Sequence, residues 1–241
     1  MRWDRSKGRP EPVRALDRVR ERESGEPLVD FREVAPRAVM FRETVIPFVR
    51  RQVAEKLRDV TERLPGGVQL AVTDAWRPIE RQQRIYEFMT RCVLEVNPEI
   101  SPAMLKRTVN RWVAPPDRKA PPGHCTGAAV DVTLLDADGQ ELDMVSPYER
   151  LSGGPTFVYG LTEEAKANRM MLYDTMTAAG FSNCRDEWWH YSFGDAGWAV
   201  RMGLDECVYG IARLDPALYA DQERDWQERM RHRPNPFITG K

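Results

Sequence analysis

Residues 128–136 read AAVDVTLLD, the clearest strand pattern in the chain. Val130 and Val132 alternate with Asp131 and Thr133, so apolar and polar side chains are expected on opposite faces of the strand. A carboxylate within a sheet is costly to bury unless it is paired or bound to a metal ion. The stretch therefore predicts a strand with an apolar core face and a second face on which Asp131 needs a partner.

The flanking sequence mixes helical and strand patterns without the regular alternation of a parallel βαβ sheet. The hydrophobic spacing and the Gly, Pro and Ser/Thr boundary signals predict both kinds of element. Helices are predicted over 43–64, 79–96, from Ser101-Pro102 onward, from Thr162 to about Ala179, and over 217–233, and further strands over 68–76, 141–144 and 187–193. This order predicts an α+β fold with one domain.

The composition is typical of an ordinary globular protein, with 41% hydrophobic and 30% charged residues in 241. Lys plus Arg (36) nearly balances Asp plus Glu (37), which gives no general electrostatic case for nucleic acid or an acidic membrane. No run reaches the roughly 18 apolar residues of a membrane span, and the charged N-terminus lacks the apolar core of a secretory signal. We therefore expect a cytoplasmic protein with neither a nucleic-acid partner nor a membrane partner.

Only three histidines occur, and two of them lie in short stretches that also contain a carboxylate. His124 in GHCTGAAVD precedes Asp131 by seven residues, and Glu187 in EWWH precedes His190 by three. In a regular strand Glu187 and His190 would face opposite sides, so both reach one site only if Glu187 lies at an irregular strand start or on a bulge. The stretches are either two halves of one metal site or unrelated parts of the interior.

Two neutral imidazoles and one carboxylate are a typical ligand set for a catalytic zinc ion with a fourth position left for water. Zinc lowers the pKa of such a water from about 15.7 to about 7, and a nearby carboxylate that is not a ligand can accept its proton. Glu187 is the candidate for this role. Attack on a carbonyl also needs a positive group near the oxyanion. TDAWRP offers Arg77 directly after a predicted strand, although a surface ion pair is the better explanation of this one arginine taken by itself.

These residues fit a known family pattern. GHCTGAAVD fits most of the signature S-x-H-x-x-G-x-A-x-D, and EWWH fits its second half, E-x-x-H. With TDAWRP upstream, the chain resembles the D-alanyl-D-alanine dipeptidases and their D,D-carboxypeptidase relatives from about Asp74 to Tyr191. The resemblance implies a small α+β domain whose antiparallel sheet carries one Zn²⁺ per chain. The implied zinc ligands are His124, Asp131 and His190.

The resemblance also implies roles for residues around the metal. Glu187 would be the catalytic base, and Arg77 would polarise the scissile carbonyl. Asp74 would correspond to an acidic residue in the active-site strand of the family and would orient Arg77. Glu149 in SPYE is the best placement for the acidic residue that holds the ammonium group of the substrate. Pro122 replaces the serine of the signature, and proline donates no hydrogen bond, so the pocket is expected to differ from that of the family.

Three neighbouring residues are interpreted as structural. Cys125 lies next to a ligand but is expected to be a bystander, and Trp188 and Trp189 are expected to pack within the sheet. Along the chain, residues 1–30 are interpreted as a polar tail or extension, 31–200 as the catalytic domain, and 201–241 as a C-terminal helical extension.

The favoured function is zinc-dependent hydrolysis of a small dipeptide, most simply D-alanyl-D-alanine. One alternative keeps the zinc chemistry in a D,D-carboxypeptidase or in a biosynthetic amidase acting on a peptide-like metabolite. A second alternative is a non-catalytic domain in which zinc supports binding.

Overall fold

The computed structural model describes residues 13–144, 154–158 and 160–238, and in these ranges the chain forms eight α-helices and nine short strands. The helices are α1 (Val13–Leu16), α2 (Phe31–Val34), α3 (Arg51–Arg63), α4 (Ile79–Val96), α5 (Pro102–Val109), α6 (Glu163–Ala178), α7 (Ala196–Met202) and α8 (Ala220–Arg231). The strands are β1 (Arg20–Glu21), β2 (Leu28–Asp30), β3 (Val39–Met40), β4 (Phe48–Arg50), β5 (Gln69–Asp74), β6 (Ala129–Leu135), β7 (Ser182–Asn183), β8 (His190–Ser192) and β9 (Glu206–Cys207).

A five-stranded sheet in the order β3-β5-β6-β8-β7 forms the centre of the molecule. The pairs β5–β6, β6–β8 and β8–β7 are antiparallel, and β3 is added at one edge parallel to β5. Two small pairs lie outside this sheet, β2 with β4 (antiparallel) and β1 with β9 (parallel). The predicted α+β class is confirmed, and the predicted antiparallel arrangement holds for the strands that surround β6.

Strand β6 has the two faces that its sequence predicts. Val130 and Val132 are fully buried, while Asp131, on the opposite face, is only partly buried. The apolar face belongs to a core that also includes Leu57 of α3 and Leu172 of α6, and both helices pack on the central strands. Burial of an aliphatic side chain of this size contributes about 1.5–3 kcal/mol. The core therefore holds β6 rigidly and leaves its polar face free to carry a site.

Several predicted helices are confirmed together with their boundary signals. Helix α4 occupies the predicted range Ile79–Val96. The Ser101 hydroxyl accepts a hydrogen bond from the Met104 N–H and caps α5, and the Thr162 hydroxyl caps α6 by accepting one from the Ala165 N–H. Each cap satisfies a backbone donor that the first helical turn leaves without a partner.

Three predicted elements are shorter than expected. The helix predicted over 43–64 begins only at Arg51, because Pro47 cannot donate within a helix and the residues after it form β4. The return strand predicted over 141–144 is reduced to one bridge between Leu135 and Glu141. The strand predicted over 187–193 is limited to β8, which begins only at His190 and ends at Ser192. Pairing of β4 with β2 and of β8 with β6 and β7 accounts for the first and third of these differences.

The segment predicted as a polar tail, residues 1–30, is described from residue 13 and contains α1, β1 and β2. Its strands pair with β9 and β4, which lie outside it. The buried Arg50 guanidinium adds a tie, since it donates to the Glu23 carboxylate at 2.9 and 3.0 Å and to the Thr126 carbonyl at 2.8 Å. The division of the chain into three parts stays a prediction, but these residues are joined to the segment that holds His124.

Residues 201–238 contain α8, and its Glu223 carboxylate lies 2.8 Å from the buried guanidinium of Arg81 in α4. None of the described helices is both long and apolar enough to cross a membrane.

Candidate metal centre

His124 lies in a 3₁₀ turn, Gly123–Thr126, that immediately precedes β6. The turn ends at Gly127, whose φ of +72° suits glycine, and a Cβ there would collide with the side chain of Leu28. The His124 Nδ1 lies 2.8 Å from the Ala75 carbonyl oxygen. A carbonyl only accepts, so Nδ1 carries a proton, and in the neutral form of this imidazole Nε2 is the nitrogen that offers a lone pair to a metal ion.

Asp131 and His190 are direct partners in the β6–β8 ladder. The Asp131 Oδ1 lies 3.3 Å from the His124 Nε2 and 2.9 Å from the His190 Nδ1. The two imidazole rings are 4.9 Å apart between centroids. Residues that are 59 positions apart in the chain are therefore brought together by strand register, with one carboxylate oxygen between two ring nitrogens.

These three side chains fit a zinc ion. Their ligand atoms all lie within 4.8 Å of one another, and they form the one such group of His, Cys, Asp and Glu side chains within the described ranges. Tetrahedral zinc with bonds of about 2.0–2.1 Å separates its ligand atoms by about 3.4 Å, close to the 3.3 and 2.9 Å observed. Burial alone would raise the pKa of Asp131, but His124 and His190 outweigh it and hold that pKa well below its usual range. The carboxylate is therefore ionised, as a ligand must be.

Glu187 lies just before β8 and not within it, as the alternation argument requires. Its carbonyl accepts the His190 N–H at 3.1 Å, and its carboxylate Oε2 lies 3.9 Å from the His190 Nδ1. Close packing around the carboxylate raises its pKa, and nearby Asp131 adds to this effect while His190 opposes it. The side chain remains 36% exposed. Glu187 is thus outside the ligand group, beside it, and accessible to a bound molecule.

Arg77 is held beside the ligands by both its backbone and its side chain. Its N–H donates to the His124 carbonyl at 3.1 Å. Its Nη2 donates to the Asp74 Oδ2 at 2.5 Å and its Nη1 to the Gln82 Oε1 at 2.6 Å. Burial opposes the charge of Arg77, but Asp74 and Asp131 outweigh burial and raise its pKa. The guanidinium is therefore a fixed positive charge at the edge of the site.

Gln82 is a contact residue that sequence reasoning missed. It is buried on α4, and its Nε2 donates to the Ala114 carbonyl at 2.7 Å while its Oε1 accepts from Arg77. A signal did exist, because Gln82 shares the buried face of α4 with Met89 and Val93 at helical spacing. A polar side chain on an apolar face needs hydrogen-bond partners, and Arg77 and the Ala114 carbonyl are those partners.

The sequence also singled out Glu149, Cys125 and two adjacent tryptophans. Glu149 lies outside the described residues. Cys125 is fully buried, its thiol has a pKa raised to about 12 by burial, and it does not belong to the ligand group among the described residues. Trp188 belongs to the apolar core and Trp189 packs against it, with their rings in edge contact at 5.5 Å. The interpretation of both tryptophans as packing residues is confirmed.

The α+β domain brings two imidazoles and one carboxylate together at one point. A second carboxylate that is not a ligand and a fixed arginine lie beside them. This arrangement is typical of a zinc-binding domain. The sequence model of the family described as D-ala-D-ala dipeptidase matches residues 37–207. The match covers more than half of the chain, and the chain belongs to this family.

Two curated relatives are each named D-alanyl-D-alanine dipeptidase. The protein from Synechocystis sp. is 34% identical over a match of 152 residues, with coverage of 54% of this chain and 62% of the relative. The protein from Escherichia coli is 28% identical over a match of 138 residues, with coverage of 54% of this chain and 58% of the relative. The chain therefore spans about three fifths of the length of these relatives.

Two solved structures are also similar. One is described as VanYB in complex with D-alanine-D-alanine, with 19% identity, a TM-score of 0.41, and coverage of 65% of this chain and 79% of that one. The other is a mutant of the vancomycin-resistance D,D-pentapeptidase VanY in complex with Zn(II), with 17% identity, a TM-score of 0.44, and coverage of 79% and 95%.

Proposed function

We propose that this chain is a zinc-dependent peptidase that hydrolyses a small dipeptide, with D-alanyl-D-alanine as the first candidate substrate. The observation that carries the proposal is the convergence of one ligand atom each from His124, Asp131 and His190 within 4.8 Å of one another, with Glu187 beside them. Membership of the D-alanyl-D-alanine dipeptidase family and the names of both curated relatives support the choice of substrate.

The proposed mechanism uses the observed positions of the side chains. His124, Asp131 and His190 would hold one zinc ion per chain, which would supply Lewis acidity and lower the pKa of water at this site. The carboxylate of Glu187 accepts the proton of the attacking water and passes it to the leaving amine.

Arg77 supplies the positive charge for the carbonyl oxygen of the substrate. Negative charge develops on that oxygen as the tetrahedral intermediate forms, and a preoriented donor in a partly buried site stabilises it more than water does. Asp74 and Gln82 each hold one terminal nitrogen of the guanidinium, so the group needs little reorganisation during the reaction. Asp74 thus supports the reaction through Arg77.

Two further residues bear on substrate choice. We keep Glu149 as the proposed anchor of the substrate ammonium group. Pro122, in the position of the signature serine, stands at the start of the 3₁₀ turn that carries His124. Its ring offers no hydrogen-bond donor, so recognition at this point must rest on shape or on other groups.

The test is hydrolysis of a dipeptide panel by the zinc-loaded protein. The panel contains D-alanyl-D-alanine, the L,L and mixed isomers, and N-acetyl-D-alanyl-D-alanine, with release of free alanine as the readout. We expect cleavage of the free D,D dipeptide alone. Glu187→Gln should lower kcat by about 10²–10⁴-fold, the usual contribution of a general base. Asp186→Asn, a change in the adjacent exposed carboxylate, should leave kcat unchanged.

Each other outcome has a defined meaning. Cleavage of the N-acetylated dipeptide would show that the enzyme does not need a free ammonium group on its substrate. This result would contradict the proposed ammonium anchor and favour a carboxypeptidase or an amidase. Absence of cleavage across the panel, with zinc bound to the protein, would refute the proposed dipeptidase activity.

A further inference from the structure

Asn183 makes an unusual set of contacts with the segment that holds Glu187 and His190. It lies in β7 and is 2% exposed. Its Nδ2 donates to two backbone carbonyls, that of Glu187 at 3.1 Å and that of His190 at 3.0 Å. Its Oδ1 accepts a hydrogen bond from the Thr156 hydroxyl at 2.6 Å. One buried amide thus contacts both ends of the EWWH segment.

The orientation of this amide follows from its partners. Both carbonyl oxygens only accept, so the nitrogen of the Asn183 amide must face them, and the oxygen must face Thr156. With these three bonds the buried side chain has no strained or unmatched polar atom. An aspartate or an alanine in this place could not donate to both carbonyls.

We infer that Asn183 is a positioning residue that sets the place of Glu187 relative to His190, an inference that rests on the proposed function. The His190 backbone is also held by pairing of β8 with β6, where it is the partner of Asp131. Glu187 lies outside that ladder. Its carbonyl is held by the His190 N–H and by Asn183, and its own N–H donates to the Cys184 carbonyl.

This difference predicts which property depends on Asn183. The sheet retains the ligand His190 without the amide, whereas the turn that carries Glu187 loses a tie to the rest of the fold. A displacement of about 1 Å in a reacting group can lower a rate about a hundredfold. Loss of Asn183 should therefore lower kcat while zinc binding and substrate binding persist.

The central experiment compares Asn183→Ala with Ser182→Ala. Both changes remove a buried hydrogen-bonding side chain from β7, but Ser182 contacts Ser192 and Arg201 instead of Glu187. For Asn183→Ala we expect kcat on the cleaved dipeptide to fall by about tenfold or more, with KM and the zinc Kd each within about threefold of the wild type. Ser182→Ala should retain wild-type kcat.

A second measurement does not depend on activity. Hydrogen exchange of the Glu187 and His190 amides, both bonded within the turn, should become at least about tenfold faster in Asn183→Ala, because the turn opens locally more often. The amides of β6 should keep their protection. If the wild type cleaves no dipeptide, the proposed function fails, and this comparison still decides whether Asn183 holds the turn.

A Thr156 pair provides a milder test should Asn183→Ala fail to fold. Thr156→Val removes the hydroxyl that orients the Asn183 amide, whereas Thr156→Ser keeps it. We expect a loss of kcat in Thr156→Val and recovery in Thr156→Ser. The inference is overturned if folded Asn183→Ala keeps kcat within about twofold of the wild type, if its turn exchanges at the wild-type rate, or if zinc affinity falls more than kcat.

Discussion

Replacing Asp74 by asparagine tests whether the orientation of Arg77 matters for the proposed chemistry. The Asp74 carboxylate accepts two hydrogen bonds, from the Arg77 Nη2 at 2.5 Å and from the Ala75 N–H at 3.0 Å. An asparagine has a single acceptor oxygen. Whichever way its amide turns, a donor then faces a donor at one of these two contacts, so one bond must be lost.

The size of the effect follows from the partners that remain. A hydrogen bond to a charged group contributes about 1.5–3 kcal/mol. Gln82 still accepts from the Arg77 Nη1 at 2.6 Å, so the guanidinium does not lose all of its support. If the transition state loses the full stabilisation free energy of the hydrogen bond between Asp74 and Arg77, kcat falls by about ten- to hundredfold. Zinc content should be unchanged, because none of the three proposed ligands is altered.

The assay is steady-state kinetics on the dipeptide that the wild type cleaves, with zinc content and urea unfolding measured in parallel. Asp30→Asn is a matched control, because Asp30 also forms a 2.5 Å ion pair and accepts a backbone N–H, both from Arg32 and not from a residue of the metal centre. Asparagine caps a helix as well as aspartate does, so the control should keep wild-type kcat. A kcat for Asp74→Asn within about twofold of the wild type would refute the reasoning about Arg77.

Three further predictions concern the metal, the core and a thiol. Zinc at about 100 times its Kd should raise the free energy of unfolding by about 2.7 kcal/mol in urea titrations; an equal gain in His124→Ala would place the metal elsewhere. Leu134→Ala removes a fully buried side chain from β6 and should lower the free energy of unfolding by about 2–5 kcal/mol in the same assay, and a loss below about 1 kcal/mol would contradict the packing described. Burial raises the pKa of the Cys207 thiol to about 11, so only about one in a thousand of these thiols is ionised at pH 8, and the thiolate is the reactive form. Peptide mapping after treatment with a thiol reagent should show slow labelling of Cys207 in the native protein and fast labelling in urea, with fast native labelling as the contrary result.

The local parts of the fold were predictable because their signals lie within a few residues of one another. The alternation of Val130, Asp131 and Val132 predicts β6, and the limits of α4 and the Ser101 cap of α5 were predicted as the structure has them. The residue types of the zinc set were also visible, since histidine is rare in this chain. Local hydrophobic period and cap chemistry determine such features without help from distant segments.

What tertiary structure decided is how these signals meet. The register of β6 and β8 places Asp131 opposite His190, and the late start of β8 moves Glu187 out of the strand and beside the ligands. Asn183 and Gln82 looked like ordinary polar residues in sequence, and each acquires its contacts from segments that fold around it. Strand register and the partners of buried polar groups depend on contacts between distant parts of the chain. Sequence patterns therefore determined which residue types form the site, and long-range pairing determined which atoms converge there.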